Sequence, residues 1–311
     1  MDCSPRVEDV GGTVTTARTV TSWSVRLKGY VALTKPRIIE LLLITTVPTM
    51  FVAAHKLPSA GLVLLTLAGG TLAAGGANAM NMVYDRDIDA IMERTKGRPL
   101  VTGIVTPRSA LVFAIGLEVA SFVLLWQTVN LLSAVLAVSA TAFYVFVYTM
   151  WLKRSSSQNI VIGGAAGAVP VLVGWSAVTD HVTLAPIVMF GVIFLWTPPH
   201  FWALAVRYRE DYANAKIPML PSTTGIDTVV RNIIGYTAAL WLLSAALAPA
   251  THLGPVFFAI TMVLGATFFW RSWSLRRDAS PKRAMKLFGF SITYLTVLFV
   301  AMGVTAIVRH P

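Results

Sequence analysis

Nine apolar runs, of roughly 15–25 residues, leave this chain few ways to fold. A bilayer core offers no water to backbone N–H and C=O groups. A crossing segment must therefore satisfy them itself, and continuous apolar runs of this length do so as helices. The runs are approximately 38–54, 60–84, 110–128, 131–152, 160–178, 184–206, 230–248, 256–270 and 288–308. Composition agrees: 56% of residues are hydrophobic and 13% are charged, where soluble domains carry about 25% charged residues. The expectation is an all-α polytopic membrane protein with nine transmembrane helices. Residues 1–21 are expected to be a disordered N-terminal tail, and 22–311 a single domain.

Basic residues orient the spans, because cytoplasmic loops are enriched in Lys and Arg. With the N-terminus in the cytoplasm, 23 of the 25 Lys and Arg fall on the inner side, leaving Lys56 and Arg309 outside. Adding or removing a span would spoil that segregation. The opposite connections, at 55–59, 129–130, 179–183 and near 249–255, are short. Function is therefore expected in the longer cytoplasmic loops. The net charge of +11 fits this topology, anionic lipid and anionic substrates alike. Cys3 is the only cysteine, which excludes internal disulfides and cysteine-rich metal sites. Glu8 and Asp9, without an apolar run, argue against a cleaved signal or transit peptide. The expected location is the cell inner (cytoplasmic) membrane.

The richest motif closes the second run. Asn81, Asp85 and Asp89 are four apart, so on a helix they form one column of hard oxygen ligands. Three of the chain's 14 carboxylates, Asp85, Asp87 and Asp89, lie within five residues. Oxygen ligands suit Mg²⁺ shared with a diphosphate, although a solvated helix end is the plainer reading. Arg94, Lys96 and Arg98 follow, in a loop shaped by Gly97 and Pro99. Arg forks and a Lys point charge bind phosphate oxygens; positive-inside charge also explains them. Lys153 and Arg154 offer the same two readings.

A second charged helix end follows the sixth run, hinting at an internal repeat of four helices per half plus one. Pro198 and Pro199 are expected to disturb its hydrogen bonding and turn His200 toward a cavity. Arg207 and Asp211 either pair at i,i+4 or, with Glu210 and Lys216, bind metal and phosphate from the second half. Glu40 is placed to pair with Lys35 or Arg37, while Glu118 sits deep in the third span with no visible partner. Glycine pairs at 69–70, 75–76 and 163–164, with Gly167, read as close-packing faces.

On these residues the chain resembles the intramembrane prenyltransferase superfamily, and within it most closely the heme O synthase branch. The matching stretches are 33–37 (LTKPR), 78–89 (NAMNMVYDRDID), 94–100 (RTKGRPL), 159–170 (NIVIGGAAGAVP), 196–204 (WTPPHFWAL) and 211–221 (DYANAKIPMLP). The resemblance implies nine helices around a central cavity open to lipid. It implies transfer of a farnesyl group from farnesyl diphosphate to a vinyl group of heme b, with water addition. Carried over, Asn81, Asp85 and Asp89 would hold Mg²⁺ as cofactor. Arg94, Lys96 and Arg98 would bind the diphosphate, helped by Lys153, Arg154 and Lys216. His200, Arg207 and Asp211 complete the implied catalytic set, with His200 orienting the porphyrin, binding its iron or placing the water. Implied partners are farnesyl diphosphate, heme b, membrane lipids and the downstream heme-modifying enzyme, with no nucleic acid.

The region after the sixth run departs from the aromatic prenyltransferases. A single Glu210-Asp211 pair stands where they carry a second aspartate-rich motif. That puts a second Mg²⁺ in doubt and disfavours a quinone-type acceptor, which is the alternative reading. CDP-alcohol phosphotransferases need a DG-x₂-AR-type start that is missing here. A transporter would place its charges near the midplane, whereas these cluster at one face.

Overall fold

The computed structural model describes residues 22–309, with side chains for all but 37–39 and 41–43. The expected tail at 1–21 lies outside the described residues. The helices in order are α1 Trp23–Thr34, α2 Pro36–Ala54, α3 Ala60–Tyr84, α4 Arg86–Ile91, α5 Pro107–Thr128 and α6 Leu131–Ala142. A π-helical stretch, Phe143–Leu152, leads into α7 Lys153–Ser155. Then come α8 Asn159–Thr179, α9 Leu184–Arg207, α10 Arg209–Asn214, α11 Leu220–Thr223, α12 Ile226–Ala250, α13 Gly254–Ser274 and α14 Pro281–Arg309.

Among the described residues eight helices are long and apolar enough to cross a bilayer: α3, α5, the run Leu131–Ser155, α8, α9, α12, α13 and α14. The chain is a multi-pass membrane protein. The 19-residue α2 stands where the first span was expected, and its Ile44–Ala54 part is apolar. Packing runs α2–α3–α5–α6–α8–α9–α12–α13–α14 and closes from α14 back onto α2, with α2 also against α8 and α14 against α9.

Local chemistry sets several boundaries. Ser59, Thr106 and Asn130 accept hydrogen bonds from Leu62, Ser109 and Ser133 N–H groups at the starts of α3, α5 and α6, each satisfying an otherwise orphan donor. The glycine faces pack as expected at Gly69 against Leu125, Gly75 against Thr34, Gly163 against Tyr148 and Gly164 against Thr197, while Gly70 and Gly167 face open space. Gly76 lets α5 approach closely: a Cβ there would sit 2.6 Å from Glu118 Oε1.

Pro198 and Pro199, expected to disturb the hydrogen bonding of α9, lie inside it without ending it, and the helix continues to Arg207. A proline removes one N–H but leaves the φ of a helix intact, and neighbouring helices in a bundle compensate for the lost bond. The Arg207–Asp211 pair does not form, because the helix breaks at Tyr208 (φ −108°, ψ 27°) and restarts as α10. Lys35 does not turn to Glu40; its ammonium reaches Asn81, 3.0 Å away.

The half-repeat survives in the backbone. A 25-residue α3 breaks at Asp85 before the six-residue α4. A 24-residue α9 breaks at Tyr208 before the six-residue α10. Counted from the breaks, Tyr208 and Tyr212 occupy the places of Asp85 and Asp89.

Candidate functional site

The break after α3 keeps its hydrogen-bond ladder: Asp85 N–H donates to Asn81 O at 2.9 Å, and Asp89 N–H to Asp85 O at 2.8 Å. The predicted column therefore exists, and all three side chains are buried, at 3%, 0% and 2% exposure. Asp87, between them, points out and forms a two-bond fork with Arg154, both at 2.8 Å. That guanidinium holds the Asp87 carboxyl down at about 2.

Three cations converge on the column from three parts of the chain. Lys153, from α7, pairs with Asp85. Arg98, from the loop after α4, donates to Asp89 at 2.6 Å. Lys35, at the α1–α2 junction, donates to Asn81 Oδ1 at 3.0 Å. Burial, with Arg98 and Lys153 nearby, pushes the Lys35 ammonium down to about 7. The junction forces Lys35 into the left-handed region, at φ 51°.

Asn81 is held on every side. Its Nδ2 donates to Asp85 Oδ2 at 2.7 Å and to Thr149 Oγ1 at 3.0 Å. Both acceptors and the Lys35 donor agree on which way the amide points. Thr149→Val keeps the shape and removes one acceptor. A single hydrogen bond is worth about 1 kcal/mol net, so turnover should fall about fivefold, with binding of the acceptor substrate unchanged. A steady-state comparison of kcat and both KM values checks this.

The remaining expected residues divide. Arg94 lies over the Tyr208 ring, 5.8 Å from its centroid, and bonds Tyr212. Lys96 pairs with Glu93 at the surface. Arg207, Glu210 and Lys216 are exposed and join no ion pair among the described residues. Asp211 accepts the Glu93 N–H at 3.1 Å, and its other oxygen is buried without a partner. So Asp211 ties the second half to the loop that carries Arg98. Glu118 gains a partner that sequence could not supply: Thr141 donates to its Oε1 at 3.1 Å, while Oε2 is buried and unpartnered.

Three further residues join the site. Tyr144 and Tyr148 stack, ring centroids 5.4 Å apart, within electrostatic reach of Asp85. Their i,i+4 spacing at the polar end of a span was the available signal. Asn159 opens α8 fully buried, and neither its amide oxygen nor its nitrogen has a partner. Its neighbour Ile160 packs in the cluster that holds Ile88, Tyr212 and Tyr148.

The donor set fits Mg²⁺ in a specific way. Among the described residues no three of His, Cys, Asp and Glu gather as a metal cluster. Yet Asp85 Oδ1 is buried and accepts no hydrogen bond, with the Arg154 guanidinium 3.9 Å away. Mg²⁺ is commonly held by one or two carboxylates plus substrate phosphate, rather than by an all-protein cage. With Lys35 protonated, three cations face two carboxylates, leaving one positive charge for an anionic ligand.

Comparison with known proteins follows this geometry. Residues 42–302 match the model of the UbiA prenyltransferase family. The chain is 53% identical over 287 residues to a protoheme IX farnesyltransferase of Frankia alni, covering 91% of this chain and 99% of that one. It is 49% identical over 303 residues to the protoheme IX farnesyltransferase of Streptomyces avermitilis, covering 96% and 99%. Among solved structures, one concerning digeranylgeranylglyceryl phosphate synthase matches with a TM-score of 0.76 at 18% identity, covering 91% of this chain and 99% of that one. A UbiA homolog from Archaeoglobus fulgidus bound to GPP and Mg²⁺ matches at 0.67 and 18%, covering 90% and 99%. These two likenesses are of fold.

Proposed function

The chain belongs to the UbiA prenyltransferase family, and from that premise we propose that it transfers a farnesyl group from farnesyl diphosphate to a vinyl group of heme b, with addition of water, to give heme O. The relatives near 50% identity over nine-tenths of the chain carry the choice of substrates. One observation carries the choice of site: a buried carboxylate column, with one oxygen that accepts no hydrogen bond, faces three converging cations. The site lies at the end rich in Lys and Arg, assigned to the cytoplasmic side of the inner membrane.

Asn81, Asp85 and Asp89 would hold Mg²⁺ together with the diphosphate, and the ion would supply charge stabilisation on the leaving group. Lys35, Arg98 and Lys153 bind diphosphate oxygens and stabilise their charge as the C–O bond breaks. Fixed donors in a dry site need no reorganisation at that moment. The allylic cation forms against the Tyr144 and Tyr148 rings, whose faces favour positive charge and whose bulk excludes water. The electron-rich vinyl carbon attacks that cation, forming the new C–C bond. Water then bonds to the porphyrin-side cation and releases one proton, leaving the hydroxyl. Asp211 acts by holding the Arg98 loop through Glu93. Arg94 keeps that loop against Tyr208 and Tyr212. Farnesyl and heme reach the site through lipid, and the product passes to a heme-modifying enzyme.

Purified full-length chain should convert heme b and farnesyl diphosphate, with Mg²⁺ present, in a single turnover to a heme heavier by one farnesyl group plus one hydroxyl. EDTA should abolish the product and excess Mg²⁺ restore it. A folded preparation that prenylates an aromatic acid but not heme overturns the acceptor assignment.

A further inference from the structure

His200 sits in α9 seven residues before the helix ends at Arg207, about 10 Å deeper than that end at 1.5 Å per residue. Its Nδ1 lies 2.6 Å from Ser291 Oγ on α14. That hydroxyl donates to Phe288 O, also at 2.6 Å. A serine has one proton and a carbonyl has none. Both short contacts are hydrogen bonds only if the Ser291 proton goes to Phe288 and Nδ1–H donates to Ser291. The imidazole is then neutral, with its lone pair on Nε2.

The ring is also fixed in angle. Trp196 stacks on it, centroids 4.2 Å apart and planes 20° apart. Phe288 stacks at 4.5 Å and 28°, and Phe201 meets it edge-on at 5.1 Å. Trp196 is itself pinned, donating from Nε1 to Ser291 O at 2.7 Å. Among the described residues no hydrogen bond satisfies Nε2. A core histidine with only a packing role would use both nitrogens. A base for water would need polar neighbours to hold that water, whereas aromatic rings surround this one.

We infer that His200 Nε2 is an axial ligand to the iron of the heme substrate, with Ser291 as the positioning residue that sets its tautomer. This rests on the heme reading given above. The Nε2 lone pair forms one coordination bond, and no proton moves. Metal-bound histidines characteristically donate their other N–H to a fixed acceptor, which orients the ring and raises its basicity. Neutral imidazole is a standard heme iron ligand. The bond would anchor the macrocycle by its centre, so that a vinyl group at its rim meets the farnesyl carbon.

The test needs no turnover. Full-length protein in nanodiscs is titrated with ferric and then ferrous heme b without farnesyl diphosphate, and followed by optical and EPR spectra. Wild type should give a histidine-ligated spectrum. His200→Ala and His200→Gln should lose it, and added imidazole should restore it in the alanine variant. Ser291→Ala should keep the ligand but bind ferrous heme about tenfold more weakly, as outer-shell losses do, with a shifted midpoint potential. Retained farnesyl diphosphate binding certifies the fold of each variant. Wild-type spectra in both His200 variants would overturn the ligand assignment while leaving the reaction intact. A folded wild type that binds farnesyl diphosphate but no heme overturns the acceptor reading, and this inference with it.

Discussion

Asp85→Ala should cut the single-turnover rate by about 10²–10³-fold, the scale seen when a preorganised charge-stabilising group is removed. Two effects are mixed in that number, and they separate. Asp85 is fully buried and pairs with Lys153, which is 15% exposed. Removing one partner of such a pair leaves the other charge uncompensated, at a cost of about 3–5 kcal/mol. The single variant should therefore unfold at lower temperature as well as fail to react. In the double variant Asp85→Ala with Lys153→Met, no buried charge is orphaned, and apolar replacement of a buried pair is often neutral. Thermal stability should return close to wild type while activity stays lost. An Asp85→Ala protein that turns over within tenfold of wild type would remove the carboxylate column from the mechanism. Recovery of activity in the double variant would do the same.

Asn159→Leu should separate stability from function in the opposite direction. The amide is fully buried with neither polar atom paired. An unsatisfied buried polar group costs about 1–3 kcal/mol. Leucine has nearly the same shape and no such penalty, so the unfolding midpoint should rise. If the amide is reserved for a substrate polar group, turnover should drop by about 10²-fold, as for loss of one oriented hydrogen bond in a closed site. Proteins hold destabilising groups where function needs them. Calorimetry and the single-turnover assay, run on the same preparation, test both halves. A leucine variant that is no more stable, and as active as wild type, would show that ordered water already satisfies the amide.

Sequence gave access to different parts of this molecule to different depths. The spans were legible because burial in lipid imposes continuous apolar length, and 60–84 ends where α3 ends. The column was legible because i,i+4 spacing is a local rule and the ladder holds through Asp85. The cations were only half legible. Arg94, Lys96 and Arg98 look equivalent in sequence, yet the loop sends Arg98 inward and leaves Lys96 with Glu93. Which of three neighbouring charges turns inward depends on contacts such as Asp211 with Glu93, 118 residues apart. Of the two cations expected near Glu40, Lys35 instead reaches Asn81 from the left-handed junction before α2, a turn that no local spacing encodes. The partners of His200 lie 91 residues along the chain, so its tautomer had no signature in the motif around it. Pro198 and Pro199 remove two N–H groups from α9, yet the helix runs on to Arg207, because the bundle absorbs the loss.

The π-helical stretch Phe143–Leu152 sets the angular phase of everything after it. Wide i→i+5 turns advance the chain by a different angle per residue than α-helix does. Thr149 meets Asn81 from within the stretch, and Lys153 and Arg154 meet Asp85 and Asp87 just beyond it. Each residue of ordinary helix turns the chain by about 100°. Deleting one residue here would swing both cations off the column without touching any side chain that binds. The length of this membrane-embedded segment is thus as much a determinant of the candidate site as the identity of its charges.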